Sequence, residues 1–421
     1  MNHGRSRRQA QSCDRFFGAP RTASQLSLVD RVARRAVLAA LNSPSGSAVR
    51  LRDEQGETLC GADRDAAAEL TVVDPRFWRS TASRGNLGFA EAYLAGWWTT
   101  PDLLPLLTTL AGAAAEPRRF GPGSLAATFG NFALRLARRN TRRGSRANIH
   151  AHYDLSNEFF ATLLDPSMTY SCGLFESPQT DLAAAQSAKY ERICRLLDLS
   201  PRDHVAEIGC GWGGFAEYAA TNFGCRVTGI TISREQLEFA QRRIARARLG
   251  DRVELRFCDY RDFHGRFDKL VSIEMIEAVG HESLGGFFAK CSELLKPAGK
   301  MALQAITIPD QRYDGYRRRV DYIQKYVFPG GHLPSLGAIH RALGRRTDLR
   351  LVECVDFAGD YARTLVAWRE RFFAARERIA ELGFDDRFVR TWDYYLCYCA
   401  AGFARRLIGL AQIALAKPDA R

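Results

Sequence analysis

Across its 421 residues the chain has no stretch approaching the roughly 18 apolar residues that mark a membrane-spanning helix. Its opening segment, MNHGRSRRQAQSCDRFFGAP, is basic but has no apolar core and no cleavage signal, so a cytoplasmic protein is expected. No C-x-x-C pair occurs among the eleven cysteines, which are scattered from Cys13 to Cys399. Scattered cysteines in such a chain are mostly small buried hydrophobes, the expectation for Cys60, Cys194, Cys225, Cys291 and Cys354. The histidines, including His150, His152, His281 and His332, form no helix-spaced ligand pair, so no metal site is expected. No internal repeat is present. Hydrophobic residues at 46% and charged ones at 25% are ordinary for a globular protein.

Acid is missing where base is plentiful. The net charge is +13, no Asp or Glu occurs from Pro117 to Tyr153, and RLARRNTRRGSR (135–146) holds six arginines. Such a run is a solvated linker or a contact with an anionic membrane, where each basic residue is worth about 1 kcal/mol. Nucleic acid is the other partner that positive charge attracts. It is not expected here, because no Asn/Asp-Pro-Pro-aromatic motif stands after the fourth strand of the second unit, where SIEMIEAVG is found.

Four segments are expected. Residues 1–26 read as disordered, 27–115 as an α+β unit, 116–148 as a Gly/Pro/Arg linker, and 149–421 as a second unit. In the first unit, AVRLRD and ELTVVDPRFWRS alternate as strands do. GNLGFAEAYLAGWWTTPDLLPLL reads as a loop, a short amphipathic helix, a turn at Gly96 and another helix. At least one of Trp97 and Trp98 is expected in the core, a lipid interface being the alternative for these rings. The second unit alternates strand (HVAEIG, CRVTGI, RVELRFCD, FDKLVSIE, KMALQAITI) with helix (GFAEYAATNF, REQLEFAQRRIARARLG ending on Gly250, ESLGGFFAKCSELLKPAGK). That rhythm predicts an α/β fold with a parallel, doubly wound sheet.

AEIGCGWGGF joins a strand to a helix. Gly209, Gly211 and Gly214 fit G-x-G-x-x-G, and Gly209, Gly211 and Gly213 fit the acidic-x-G-x-G-x-G loop of S-adenosylmethionine enzymes. Glycine lets the backbone turn tightly and approach a ligand, but the motif alone is weak evidence. A dinucleotide fold places an acid at the end of the second strand. Here GITISREQ offers Thr231 and Ser233 instead. Glu207 lies just before the loop, where it can accept a hydrogen bond from a methionine ammonium or a ribose. These features favour S-adenosylmethionine over a nicotinamide cofactor.

At this point the chain resembles the cyclopropane-fatty-acyl-phospholipid synthases and mycolic-acid cyclopropane synthases. The resemblance rests on HYDLSNEFFATLLDPSMTYSCGLF (152–175), EIGCGWGGF, GITISREQ, CDYRDF, SIEMIEAVGHE, YVFPGGHLPS and YYLCYCAAGF, in order across 149–417. GNLGFAEAYLAGWW is similar to the smaller lipid-contacting domain of the phospholipid-acting members. The resemblance implies a methyltransferase fold with a mostly parallel seven-stranded sheet. It also implies methyl transfer from S-adenosylmethionine to a cis double bond, followed by loss of a proton and ring closure. The implied partner is unsaturated phospholipid at the inner face of the membrane, and a homodimer is possible.

An alkylated alkene is a carbocation, so its pocket must be apolar and electron-rich, and a ring face over a cation is worth roughly 0.5–2 kcal/mol. Tyr153, Phe159, Phe160, Tyr170, Tyr316, Tyr322, Tyr361, Trp392, Tyr394 and Tyr395 supply rings, most of them as plain core. The resemblance implies that the base is a bound bicarbonate, held by Cys172, Glu277, Tyr361 and the backbone of Ile306. Gln304 stands where the better-known members have histidine. It donates a hydrogen bond but shuttles no proton, which opens a second outcome: loss of a different proton, leaving a methyl- or methylene-branched chain. Glu274 and Glu277 are expected on one helical face past the fourth strand, with Glu274 unassigned. Implied cofactor contacts are Tyr170, Ser171, Glu207, Gly209, Gly211, Gly213, Thr231, Ser233, Gln236, Asp259 and Tyr260, Asp259 being equally explicable as a strand-end cap. His332 would border the acyl channel.

RTWDYYLCYCAAGF reads as a helix stopping at Gly402, and RLIGLAQIALA as the last strand. Cys397 and Cys399 then point about 200° apart. By resemblance Cys399 lines the active site and Cys397 is packing. A non-catalytic membrane-binding protein on the same fold is the competing class; the intact glycine loop, Cys172, Glu277 and Cys399 argue against it.

Overall fold

The computed structural model describes residues 26–42, 48–61, 66–114 and 155–420. The expected basic linker, most of the expected disordered N-terminus, Cys13, His150, His152 and Tyr153 lie outside the described residues. These residues form two compact units, and the first takes in Asp386–Tyr394 from far along the chain.

The first unit is a four-stranded sheet in the order β2-β1-β3-β4, from Ala48–Asp53 (β1), Gly56–Cys60 (β2), Ala66–Val72 (β3) and Trp98–Thr99 (β4). Helices Leu28–Leu41, Arg76–Leu94 and Leu103–Ala114 accompany it. Ser27 caps the first helix by accepting from the Asp30 amide. The expected strand ELTVVDPRFWRS is half strand and half helix. Asp74 accepts from the Arg76 amide, and Pro75 precedes the first helical residue, where its missing N–H costs nothing. The helix then runs on through the expected loop to Leu94, kinked at Gly85 (φ 55°). Trp97 and Trp98 are both buried. Trp98 donates to the Phe89 carbonyl at 2.9 Å, a core position rather than a lipid-facing one. Trp392 and Tyr394, expected with the rings of the second unit, belong to this one, Tyr394 packing on Tyr93.

The second unit carries the seven-stranded sheet, in the order β10-β11-β9-β8-β5-β6-β7. Its strands are His204–Ile208 (β5), Arg226–Thr231 (β6), Val253–Phe257 (β7), Phe267–Ile273 (β8), Leu295–Thr307 (β9), Arg350–Asp356 (β10) and Gly409–Ala416 (β11). β5 to β9 pair in parallel, while β11 enters antiparallel between β9 and β10. Near-continuously buried strands such as β5 suit a sheet covered on both faces. One face packs Phe287, Leu294 and Met301, and the other Ile193, Phe215 and Val227.

Details differ from the sequence reading. Leu295–Thr307 becomes strand directly after its helix, and Lys-Pro-Ala-Gly is absorbed as an irregularity before regular pairing resumes at Lys300. The helix after Ser233 ends near Ala247, with Arg248 (φ 56°) making the turn, rather than on Gly250. The C-terminal helix spans Asp386–Ala404 and passes through Gly402, whose missing side chain leaves room for Ile408; Arg406 (φ 56°) follows the helix end. Of the five cysteines expected in the core, Cys354 is exposed. Among the described residues no helix is long and apolar enough to cross a membrane.

One close approach sets the glycine loop. A Cβ on Gly229 of β6 would lie 2.9 Å from the Cys210 Cβ and 2.8 Å from Leu255. Gly229→Val is expected to lower unfolding stability by about 1–3 kcal/mol, the usual cost of overpacking. Chemical denaturation, read beside a surface Gly250→Ala control, checks it.

Candidate active site

The C-terminal ends of the parallel strands, where α/β sheets bind ligands, carry many of the predicted residues, whereas Tyr170, Ser171 and Cys172 precede the sheet and Tyr361 and Cys399 lie in helices. After β5 the chain turns through Gly209 (φ 90°), Gly211 (φ 51°) and Gly213 (φ 81°), a left-handed series that favours glycine. The Gly209 and Cys210 amides donate to the Ile230 carbonyl, tying the loop to β6. Helix Gly214–Phe223 opens with no side-chain cap, so its first amides face the loop.

Glu207, at the tip of β5, is buried, and its Oε2 has no hydrogen-bond partner. Burial pushes its carboxyl up to about 8, against a weaker pull from Lys189. A buried carboxylate oxygen without a partner is costly, and it is suited to receive a donor from a ligand. The residues present therefore fit S-adenosylmethionine: an acceptor before the loop, and a loop open at Gly211, where a Cβ would meet nothing within 4 Å.

The rest of the expected cofactor set divides. Ser171 is buried, its Oγ accepting from Lys189 Nζ and its carbonyl from Gln186 Nε2, both at 2.8 Å. Tyr170 packs against Phe160 and Trp368 and meets the Tyr395 hydroxyl at 2.9 Å. Thr231, Ser233 and Gln236 gather at the tip of β6. There they satisfy one another: the Thr231 hydroxyl donates to Gln236 Oε1, and Ser233 Oγ accepts from the Gln236 amide. Asp259 caps the turn Tyr260–Asp262 and is clasped by Arg261 at 2.6 and 2.8 Å, which is the strand-end cap reading. Tyr260 packs edge-on to Phe287.

The second cluster differs most from expectation. Glu274 and Glu277 do not share a helical face. Glu274 follows β8 with φ 49°, a left-handed conformation costly for a side chain other than glycine. Glu277 sits in a short turn, Ile276–Ala278. The groups expected to hold an anion converge on the Glu274 carboxylate. Its Oε1 accepts from the Cys172 amide at 2.9 Å and from Gln304 Nε2 at 2.7 Å, and its Oε2 from the Tyr361 hydroxyl at 2.5 Å. The remaining expected donor, the Ile306 amide, bonds Glu277 Oε1 at 2.5 Å, while Glu277 Oε2 has no partner.

Burial raises the Glu274 carboxyl above its ordinary value, while Tyr361, Cys172 and Gln304 pull it back. Burial and the neighbouring Glu274 push Glu277 up to about 8. At neutral pH Glu277 therefore holds a proton, and the ionised form of Glu274 is the one its three donors favour. The Cys172 thiol is kept protonated by burial and by Glu274, so this residue contributes its amide rather than a thiolate. Cys397 is buried and Cys399 only partly so, and burial raises the Cys399 thiol far above neutrality. His332 donates its amide to the Glu277 carbonyl at 2.8 Å and meets Tyr313 through Nε2, bracing the Glu277 turn.

The sequence reading passed over Lys189, Gln186 and Gln412. Leu182, Ala185, Gln186, Lys189 and Ile193 form one buried helical stripe, so two polar residues on an apolar face were the signal. Burial lowers Lys189 to about 8, while Glu274 and Cys172 oppose the shift. Gln412 of β11 stands opposite Gln304 of β9 and donates to its Oε1 at 2.8 Å. That bond turns the Gln304 amide nitrogen toward Glu274, which can only accept.

The family described as mycolic acid cyclopropane synthetase matches residues 140–413. The chain is 42% identical over 357 residues to a tuberculostearic acid methyltransferase of Mycobacterium tuberculosis, covering 82% of each. It is 36% identical over 353 residues to the cyclopropane-fatty-acyl-phospholipid synthase of Escherichia coli K12, covering 84% of this chain and 88% of that one. Among solved structures it is similar to a mycolic acid cyclopropane synthase, CmaA1, complexed with SAH and CTAB. The TM-score is 0.61 at 30% identity, over 65% of this chain and 98% of that one.

Glu207 makes cofactor binding depend on pH. Burial pushes its carboxyl up to about 8, and a donor bound to it favours the ionised form. Binding therefore releases a proton below pH 8. SAH affinity is expected to rise by up to about tenfold per pH unit between 6 and 8. Calorimetry in buffers of different ionisation enthalpy measures the proton released. Glu207→Gln is expected to weaken binding and flatten the slope.

Proposed function

We propose that the chain, which belongs to the mycolic acid cyclopropane synthetase family, methylates a cis double bond in the acyl chain of an unsaturated phospholipid and leaves a methylene branch. The coarser activity is that of an S-adenosylmethionine-dependent methyltransferase acting on fatty acyl lipids. When bound, S-adenosylmethionine supplies an electrophilic methyl group. The chain supplies an apolar, ring-lined setting: Tyr361 stacks on Phe403 at 4.3 Å, and Tyr170, Trp368 and Phe160 pack edge to face or tilted. Such rings favour positive charge on the alkylated chain over water's attack on it.

Gln304 carries the choice of product. The methylated acyl chain is a secondary cation. Ring closure needs a proton to leave the added methyl at once, whereas a hydride shift from the methylated carbon gives a more stable tertiary cation. Loss of a methyl proton from that cation yields an exocyclic methylene. Contrary to the expectation of a different proton, the added methyl group loses the proton in both outcomes, and only the timing differs. Gln304 cannot take up or pass a proton, and its amide is locked between Gln412 and Glu274. Removing the shuttle that histidine would provide slows proton loss and lets the hydride move first. The relative named for tuberculostearic acid is consistent with this reading, and the 36% identical cyclopropane synthase favours the ring as second reading.

The site is expected to work at the inner membrane surface, as the net charge of +13 favours contact with anionic lipid. Expression in a bacterial host lacking such an enzyme, followed by proton NMR of the extracted lipid, decides between products. Exomethylene signals without the far-upfield ring protons are expected; ring protons would establish the cyclopropane reading instead. Cys399, a protonated thiol, is a lining group rather than a nucleophile. Cys399→Ser is expected to keep turnover within about tenfold, as read by methyl incorporation into unsaturated phospholipid.

A further inference from the structure

We infer that the Glu274 carboxylate is the built-in general base of this enzyme, occupying the place an exchangeable bicarbonate would take. This rests on the acyl-methylation reading above. Three of the groups expected to grip a free anion, the Cys172 amide, Gln304 Nε2 and the Tyr361 hydroxyl, already grip Glu274 at 2.9, 2.7 and 2.5 Å. The fourth, the Ile306 amide, is taken by Glu277. A free anion would find these donors engaged, and it would have to lie beside the half-buried Glu274 carboxylate.

Backbone geometry points the same way. Glu274 holds φ 49° at the end of β8, where glycine would be unstrained. A strained, half-buried residue at a strand tip, with three donors on its carboxylate, is maintained by its surroundings. The strain is what swings its carboxylate to the three donors. Purely structural burial of a carboxylate would be the poorer solution, because an apolar residue packs there without desolvation cost. Glu277 has one donor, the Ile306 amide on Oε1, and an unpartnered Oε2, so it is the less supported of the two as an anion.

The step balances. Glu274 Oε2, which accepts from the Tyr361 hydroxyl, takes the proton from the added methyl group. The C–H electron pair becomes the new carbon–carbon bond, of the methylene or of the ring, and discharges the cation. Glu274 becomes a neutral carboxylic acid and returns the proton to solvent before the next turnover. The positive charge that arrived with the methyl group leaves as that proton. Cys172, Gln304, Tyr361 and Gln412 are positioning residues.

The test compares turnover on unsaturated phospholipid vesicles in carbon-dioxide-free buffer and in buffer with added bicarbonate. The wild-type rate is expected to be the same in both. Glu274→Gln and Glu274→Gly are expected to lower turnover about a hundredfold or more, with SAH binding retained as the readout of an intact fold. Glu274→Gly relieves the backbone and leaves a carboxylate-sized space. Its rate is expected to recover with bicarbonate or formate but not with nitrate, which is planar and anionic yet not basic. A wild-type rate that falls without bicarbonate, or a Glu274→Gln variant within a few-fold of wild type, overturns the assignment. So does equal rescue by nitrate. If a variant fails to fold, the bicarbonate response of the wild type decides alone. A wild-type protein that methylates no unsaturated phospholipid in either buffer overturns the functional reading, and the assignment with it.

Discussion

A carboxylate withdrawn from part of its water is tolerable only when donors replace that water, and the second unit is arranged around one such group. Glu274 receives donors from three separated places: the Cys172 backbone before the sheet begins, Gln304 in β9, and Tyr361 in helix Ala358–Ala374. Each donor is itself fixed. Gln412 orients Gln304, Phe403 stacks on Tyr361, and the Gly173 amide next to Cys172 donates to Thr364. Removing one partner of a buried charge leaves it uncompensated at a cost of about 3–5 kcal/mol. The segments therefore hold their relative positions together or not at all.

Two other acids in the same unit behave differently for the same reason. Glu207 and Glu277 each have an oxygen without a partner, and burial drives both up to about 8. Three carboxyls at one end of one sheet are thus separated by how many donors each receives. The three donors on Glu274 offset part of the rise that burial imposes, whereas Glu207 and Glu277, with fewer donors, are pushed up to about 8. Separation of acid strengths by environment is how one fold accommodates different proton roles near neutral pH. Lys189, buried beside them, donates to Ser171 and Gln186 rather than to any of the three.

The sheet, the glycine loop and the ligand-facing strand ends could be read from the sequence because they rest on local pattern: β-α alternation, glycines where φ is positive, apolar strands. Cys172, Glu277, Tyr361, Gln304 and Ile306 were legible through motif resemblance. What those groups bind was not, because the answer depends on φ at Glu274. A helical reading of EMIEA puts Glu274 and Glu277 on one face, whereas the left-handed turn aims them at different donors. Gln412 was hidden for another reason: its role exists only in register with Gln304, across more than a hundred residues of chain. Proline was misread in two ways, run through as strand at DPRFW and taken into the end of a helix at KPAG. In the first case it precedes a helix, and in the second a strand takes it up in an irregular stretch.

The left-handed backbone at Glu274 fixes more than a side-chain direction. It makes the anion in this site a part of the polypeptide. A dissolved anion must be captured at each turnover, and competing anions can displace it. A tethered one is present at an effective concentration that intramolecular reactions place at about 10⁵ M or above. Chemistry built on it is indifferent to the supply of dissolved carbon around the cell, and no small anion can poison it by exchange. The same tether also removes choice: its carboxylate cannot be swapped for a stronger base, so its reach and basicity are set once, when the chain folds.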